Sequence, residues 1–212
     1  MKPKHINASQ VSVSAAIASG DAFRDHAEAF CRLVEADSGA ADRVAKKDIG
    51  ELIVSATSLA LALEIYLKAL LLVLGQPAPT IHNLEQLLNL VPKKQRQAIE
   101  AAYNKRRASE QPEDTSGVSL HIVHHGGEFP PFERPGPLSM NLSPLLRRNA
   151  SAFMTWRYLF AHGPTKSGEP LSYEYVRLRF AADAIRGAIL HNHSPSGVHL
   201  GVANPQVNAG AA

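Results

Sequence analysis

The sequence predicts an all-α fold, an up-and-down helical bundle carrying one irregular insertion rich in Pro, Gly and His. Three observations support this. Apolar residues recur at the 3.6-residue helical period over most of the chain. Gly and Pro fall where the periodic runs end. One stretch alone, residues 109–139, loses the pattern altogether. At 212 residues the chain has room for one well-buried domain, read as residues 1–193, followed by a tail at 194–212.

The first helix is expected from Ala15 to Glu35, with Ile17, Phe23, Ala27, Phe30, Leu33 and Val34 inward; Gly20 is an unfavourable residue inside it. The second and strongest segment runs from Asp42 to Leu74. Ile49, Leu52, Ile53, Ala56, Leu59, Ala60, Leu63, Leu67, Leu70, Leu71 and Leu74 keep the helical period there, and between Leu59 and Leu74 almost every face is apolar. Such a helix is central to the bundle or shared with a second subunit. Gly75 stops it, with Pro77 and Pro79 just beyond. A short helix follows from Leu84 to Val91 with Asn83 as its cap, then another from Pro92 to Arg107, where proline suits a first turn.

Residues 109–139 include Phe129-Pro-Pro-Phe132 and Pro135-Gly-Pro137, and read as an insertion or lid. Helical pattern resumes from Asn141 to Ala161, with Leu142, Leu145, Leu146, Phe153, Trp156 and Phe160 inward, until Gly163-Pro164 ends it. A last helix is expected from Ser172 to Leu190. The tail from Ser194 has little to bury and is expected to be disordered.

Composition narrows the functional classes. One cysteine, Cys31, excludes an internal disulfide framework and fits a reducing, cytoplasmic compartment. Leu59–Leu74 is the best membrane candidate, but Glu64 and Lys68 interrupt it and a spanning helix needs about 20 predominantly apolar residues. A buried core helix in a soluble protein is the expectation. Positive charge is concentrated after the first half: residues 93–107 hold six Lys/Arg against the single Glu100. A polyanionic partner, RNA or a nucleotide, would be met by Lys93, Lys94, Arg96, Arg147 and Arg148. The competing reading is a solvated basic face, since no aromatic residues interleave with the charges as a stacking platform requires.

The run Ala62-Leu-Glu64-Ile-Tyr66-Leu-Lys68-Ala-Leu-Leu-Leu, then Gly75, then His82-Asn-Leu-Glu-Gln-Leu, resembles the first half of a HEPN bundle; Trp156-Arg157-Tyr158-Leu-Phe-Ala-His162 resembles its second half. The resemblance spans roughly residues 45–190, with 109–139 outside it. It implies an Arg-x(4–6)-His motif at Arg157 and His162, as in family members that are RNases of toxin–antitoxin, phage-defence or stress systems. In those enzymes two motifs meet across a homodimer and cleave RNA without a metal ion. The sequence departs from that pattern at Tyr158, where Asn, Asp or His commonly follows the arginine, and at Pro164, where some toxins carry a tyrosine.

The residue types suit the chemistry on physical grounds as well. Cleavage through the ribose 2′-OH needs a proton acceptor, a proton donor and positive charge at the phosphorane. Histidine, with an unperturbed pKa of about 6.5, can do either proton transfer, and arginine offers a fork matched to phosphate oxygens. A two-fold dimer would duplicate both. Five residues of ideal helix, however, separate the pair by about 140° and roughly 7.5 Å. The spacing itself is common, with roughly two chance matches expected from the composition. It also occurs at Arg186–His191 and Arg186–His193, read as the frayed basic end of the last helix.

Supporting residues are Glu64, Lys68 and Tyr158. Glu64 and Lys68 form either a structural i,i+4 ion pair or part of a cluster with Arg157. His82 reads as a hydrogen-bonding residue at a helix start, with a ligand role as the alternative. His121, His124, His125 and Glu128 lack the helix that brings i and i+4 ligands together, because Gly126-Gly127 follows, so no metal and no cofactor is expected. No Walker A, Gly-x-Gly-x-x-Gly or Gly-x-Ser-x-Gly pattern occurs. The expectation is a HEPN-like protein acting as a metal-independent endoribonuclease, or alternatively a noncatalytic module binding a nucleotide, an RNA or a protein partner such as an antitoxin.

Overall fold

The computed structural model describes residues 9–36, 46–109, 118–120, 141–157 and 171–193, with side-chain surroundings for most of them. Among these are seven helices: α1 (Ser9–Ala36), α2 (Lys46–Val73), α3 (Leu84–Leu90), α4 (Lys93–Ala108), α5 (Leu142–Arg148), α6 (Ala152–Arg157) and α7 (Tyr175–Asn192). Two three-residue strands, β1 (Val118–Leu120) and β2 (Leu171–Tyr173), pair antiparallel with Val118 opposite Tyr173. The all-α class stands. Cys31, Phe30, Leu33, Val34, the His121–Glu128 group and the 194–212 tail lie outside the described residues or side chains.

Helix α2 is the axis of the bundle and packs against α1, α3, α6 and α7. Ala62, Leu63, Tyr66, Leu67, Ala69, Leu70 and Leu71 are completely buried within this one chain. Intrachain packing thus answers for most of the apolar surface that suggested a shared helix. By length and composition Gly50–Val73 could cross a membrane, but 67% of its most apolar window is buried in the fold, as in the core helix of a soluble protein. It ends as anticipated. Gly75 takes φ +75°, its N–H donates to the Leu72 carbonyl (3.0 Å), and the Gln76 N–H donates to that of Leu71 (2.9 Å). This is a Schellman closure, in which a left-handed glycine turns two otherwise unpaired carbonyls into acceptors.

Helix α1 buries Val13, Gly20 and Ala27, one residue every seven, against α2. Gly20 has a packing reason: a Cβ there would lie 2.5 Å from Cε1 of Tyr66. The glycine that lowers helix propensity is what lets the tyrosine ring lie against the backbone. Phe23, expected inward, is 37% exposed, because the seam runs through 13, 20 and 27 and turns position 23 away.

Ion pairs then join α1 to α7. Asp21 accepts from Arg186 Nε (2.6 Å) and Nη2 (2.8 Å) and from the Tyr66 hydroxyl. Asp183 accepts from Arg24 (3.2 Å) on α1 and from Arg106 (2.6 Å) on α4. Arg186 is therefore an anchored residue in mid-helix, not a frayed end. His191 is the basic residue in the last turn of α7.

Two sequence expectations change in the second half. The single helix expected over 141–161 is broken after Arg148. Buried Asn149 donates its side-chain N–H to the Leu145 carbonyl (3.0 Å), and the backbone tightens, with Ala150 N–H to Arg147 O (3.1 Å) and Ala152 N–H to Asn149 O (3.0 Å). The break lets the Ala150 carbonyl accept from the Leu84 N–H (2.9 Å), tying α3 to the start of α6. The last helix begins at Tyr175, because Ser172 belongs to β2. The 109–139 stretch is likewise not irregular throughout, since β1 lies within it. Tyr173 at the end of β2 is fully buried and bonds to Ser55 Oγ (2.9 Å). Ser55 spends its proton on the Ala27 carbonyl (3.1 Å), so the tyrosine is the donor to it.

Candidate functional site

Where α2, the start of α3 and α6 meet, a polar cluster sits in apolar surroundings. Glu64 is 4% exposed. Its Oε1 accepts from Lys68 Nζ at 2.8 Å and lies 2.9 Å from His82 Nδ1. Its Oε2 is buried and has no partner among the described residues. Burying a carboxylate costs several kcal/mol unless paired, so one lysine one turn away and one histidine from the following loop are what retain this charge. The Glu64–Lys68 pair anticipated from spacing is present, and it is an interior pair on the glutamate side: the Lys68 side chain is 22% exposed and that of Glu64 only 6%.

His82 is positioned from both sides. Its ring stacks on Phe153 of α6, centroids 6.4 Å apart and planes 29° apart. Phe153 precedes Arg157 by four residues, one turn of α6. The backbone of Arg157 is thus carried on the helix that packs against the Glu64–Lys68–His82 cluster. The side chains of Trp156 and Arg157 are not described, and Tyr158 and His162 lie outside the described residues.

The expected nucleic-acid face divides in two. Lys93 and Lys94 are exposed in the first turn of α4, which has no acidic residue and no side-chain cap. Arg96 bonds across to Asn89 of α3 at 3.0 Å. A cleft of about 210 Å³ opens between α3, α4 and α5, lined by Leu88, Asn89, Lys93, Arg96, Glu100 and Leu142. Arg147 and Arg148, by contrast, already have carboxylate partners. Arg147 pairs with Glu85 at 2.7 Å, although its side chain stays 69% exposed. Arg148 clamps Glu174 through Nε and Nη2, in three contacts of 2.9–3.2 Å. Glu174 is 4% exposed and also accepts from buried Arg177 at 3.2 Å. This arginine–glutamate–arginine cluster fastens α5 to the start of α7 and occupies the Glu174 carboxylate that would otherwise cap that helix.

Sequence reasoning did not find Glu174, Asp21 or Asp183, which have partners distant in sequence, nor Arg177, although its pairing with Glu174 is a local i,i+3 contact. For His82 a signal existed, because a histidine directly before the Asn83 cap is adjacent to α3 whatever the fold. Among the described residues no three His, Cys, Asp or Glu side chains are grouped as a metal would require.

The fold and cluster define a class, an all-α bundle built on one buried axial helix with an embedded Glu–Lys–His cluster. The family model of the HEPN domain matches residues 40–113, which take in α2, α3 and α4. Helices α5 to α7 lie beyond the matched segment. No curated protein and no solved structure matches the chain.

Proposed function

We propose that the protein is a metal-independent endoribonuclease of toxin or defence type, using Arg157 and His162 duplicated in a homodimer. One observation carries the reading: the helix bearing Arg157 packs on the only cluster of the HEPN-matched segment, among the described residues, that joins a buried carboxylate to a lysine and a histidine. Arg157 supplies a permanent charge for the phosphorane and His162 a proton-transfer group. Glu64 brings a buried carboxylate to the helix that carries Arg157. A cytoplasmic location accompanies the proposal.

The test is RNA cleavage in EDTA by the purified chain. Products should carry 2′,3′-cyclic phosphate or ends derived from it. Arg157→Ala and His162→Ala should each abolish cleavage while circular dichroism and Tm stay at wild-type values, and light scattering should give a dimer. A folded dimer inert on diverse RNAs removes the enzymatic reading.

A second reading, retention of RNA or a nucleotide without turnover, is favoured by the α3–α4–α5 cleft, where Lys93 and Arg96 outnumber Glu100. It predicts salt-dependent binding, because phosphate contacts release counterions. A protein partner such as an antitoxin is compatible with either.

A further inference from the structure

The geometry points to His82 as a further proton-transfer residue of the RNA site, oriented by Glu64. The inference rests on the reading just given and adds a histidine that lies outside the Arg157–His162 motif. A histidine serving only to start α3 would cap it. That work is done by Asn83, whose Oδ1 accepts from the Gln86 N–H at 2.9 Å. His82 is instead held by two contacts that fix the ring and leave one nitrogen outward. Nδ1 lies 2.9 Å from Glu64 Oε1, and an ionised carboxylate only accepts, so Nδ1 carries the proton. In the neutral ring Nε2 then bears the lone pair. No described residue bonds it, and the side chain is 55% exposed.

A carboxylate behind Nδ1 fixes the tautomer and stabilises the imidazolium that forms when Nε2 takes a proton, the logic by which a buried acid orients a catalytic histidine. Stacking on Phe153 holds the ring plane one turn before Arg157. The charged groups of the cluster that holds His82, among the described residues, are Glu64 and Lys68 of α2. In the step so defined, Nε2 of His82 accepts the 2′-OH proton as the O2′–P bond forms and the P–O5′ bond breaks. The leaving O5′ takes its proton from a protonated imidazole, the part left to His162. Glu64 is a positioning residue.

The experiment compares pH profiles of kcat and KM for RNA cleavage in EDTA by the wild-type chain, His82→Gln, Glu64→Gln, Arg157→Ala and His162→Ala. His82→Gln is expected to lower kcat by about 100-fold or more with little change in KM, and to lose the acid limb of the profile. Glu64→Gln is expected to lower kcat with little change in KM, because the ring loses the carboxylate that fixes its tautomer. If Arg157→Ala and His162→Ala are inactive while His82→Gln matches wild type in kcat and profile, the assignment of His82 is overturned and the nuclease reading stands. A second measurement covers an inert or poorly folding variant. The wild-type chain, labelled with 15N-histidine, is titrated with 2′-O-methyl RNA, which cannot be cleaved. A shift of the His82 Nε2 resonance supports its facing the phosphodiester; a chain that binds this RNA but cuts no ordinary RNA removes the nuclease reading and the proton-transfer role with it. An unmoved resonance overturns the proposal.

Discussion

Gly20→Ala and Gly187→Ala make the same chemical change in two helices and are expected to act with opposite sign. At Gly20 the new Cβ would lie 2.5 Å from Cε1, 2.9 Å from Cδ1 and 3.0 Å from Cζ of Tyr66. Carbon atoms rest at about 3.5–4.0 Å, so α1 and the ring must separate by roughly 1 Å. The ring cannot swing aside, being completely buried with its hydroxyl donating to Asp21, which Arg186 holds in turn. Overpacking of this kind costs about 1–3 kcal/mol, and loosening the Tyr66–Asp21 bond adds to it. The helix-propensity gain of Ala over Gly, about 1 kcal/mol, offsets part. A net loss of about 1–2 kcal/mol lowers Tm by roughly 2–8 °C for a chain of this size. At Gly187, in α7, an added Cβ meets nothing within 4 Å, so only the propensity gain remains and Tm should rise by roughly 1–4 °C. Thermal unfolding followed by circular dichroism reads both. Gly20→Ala combined with Tyr66→Leu should cost less than the two single losses added, since the clash is shared. If Gly20→Ala stabilises as Gly187→Ala does, the close approach of α1 to α2 is wrong.

Three further predictions follow from the charged clusters. The Arg186 hydrogen bonds hold the Asp21 carboxyl below the usual carboxylate range, so its stabilisation is present above about pH 3.9 and lost as pH falls; Asp21→Asn should cost roughly 1–3 kcal/mol at pH 7 and flatten the acid limb of a Tm–pH curve. Burial, then the bond to Asp21, pushes the Tyr66 hydroxyl well above its usual range; the folded state therefore favours the protonated form, and stability should fall as pH rises past about 10, a loss Tyr66→Phe abolishes. Glu174→Gln leaves buried Arg177 and its neighbour Arg148 without their shared carboxylate, and should cost about 3–5 kcal/mol in urea unfolding, whereas Glu85→Gln beside exposed Arg147 should cost under about 1 kcal/mol.

The sequence by itself determined the helical class, the central position of α2, its stop at Gly75 and the Asn83 cap. Each depends on residues within one or two turns, where periodicity, a left-handed glycine or a side-chain acceptor acts locally. It also singled out Glu64 and Lys68, because i,i+4 spacing brings two side chains together in any helix. What it left undecided required long-range contact. Gly20 looks like a flaw until Tyr66, 46 residues later, lies against it. The helix expected from 141 to 161 breaks because Asn149 is buried, a fact of packing that propensity does not contain. The three-residue strands are too short for any period to register, and they exist only because residues 118–120 and 171–173 meet. His82 shows the division most plainly. The sequence placed it at a helix start, and only tertiary structure set its ring between a buried carboxylate on α2 and an aromatic face on α6.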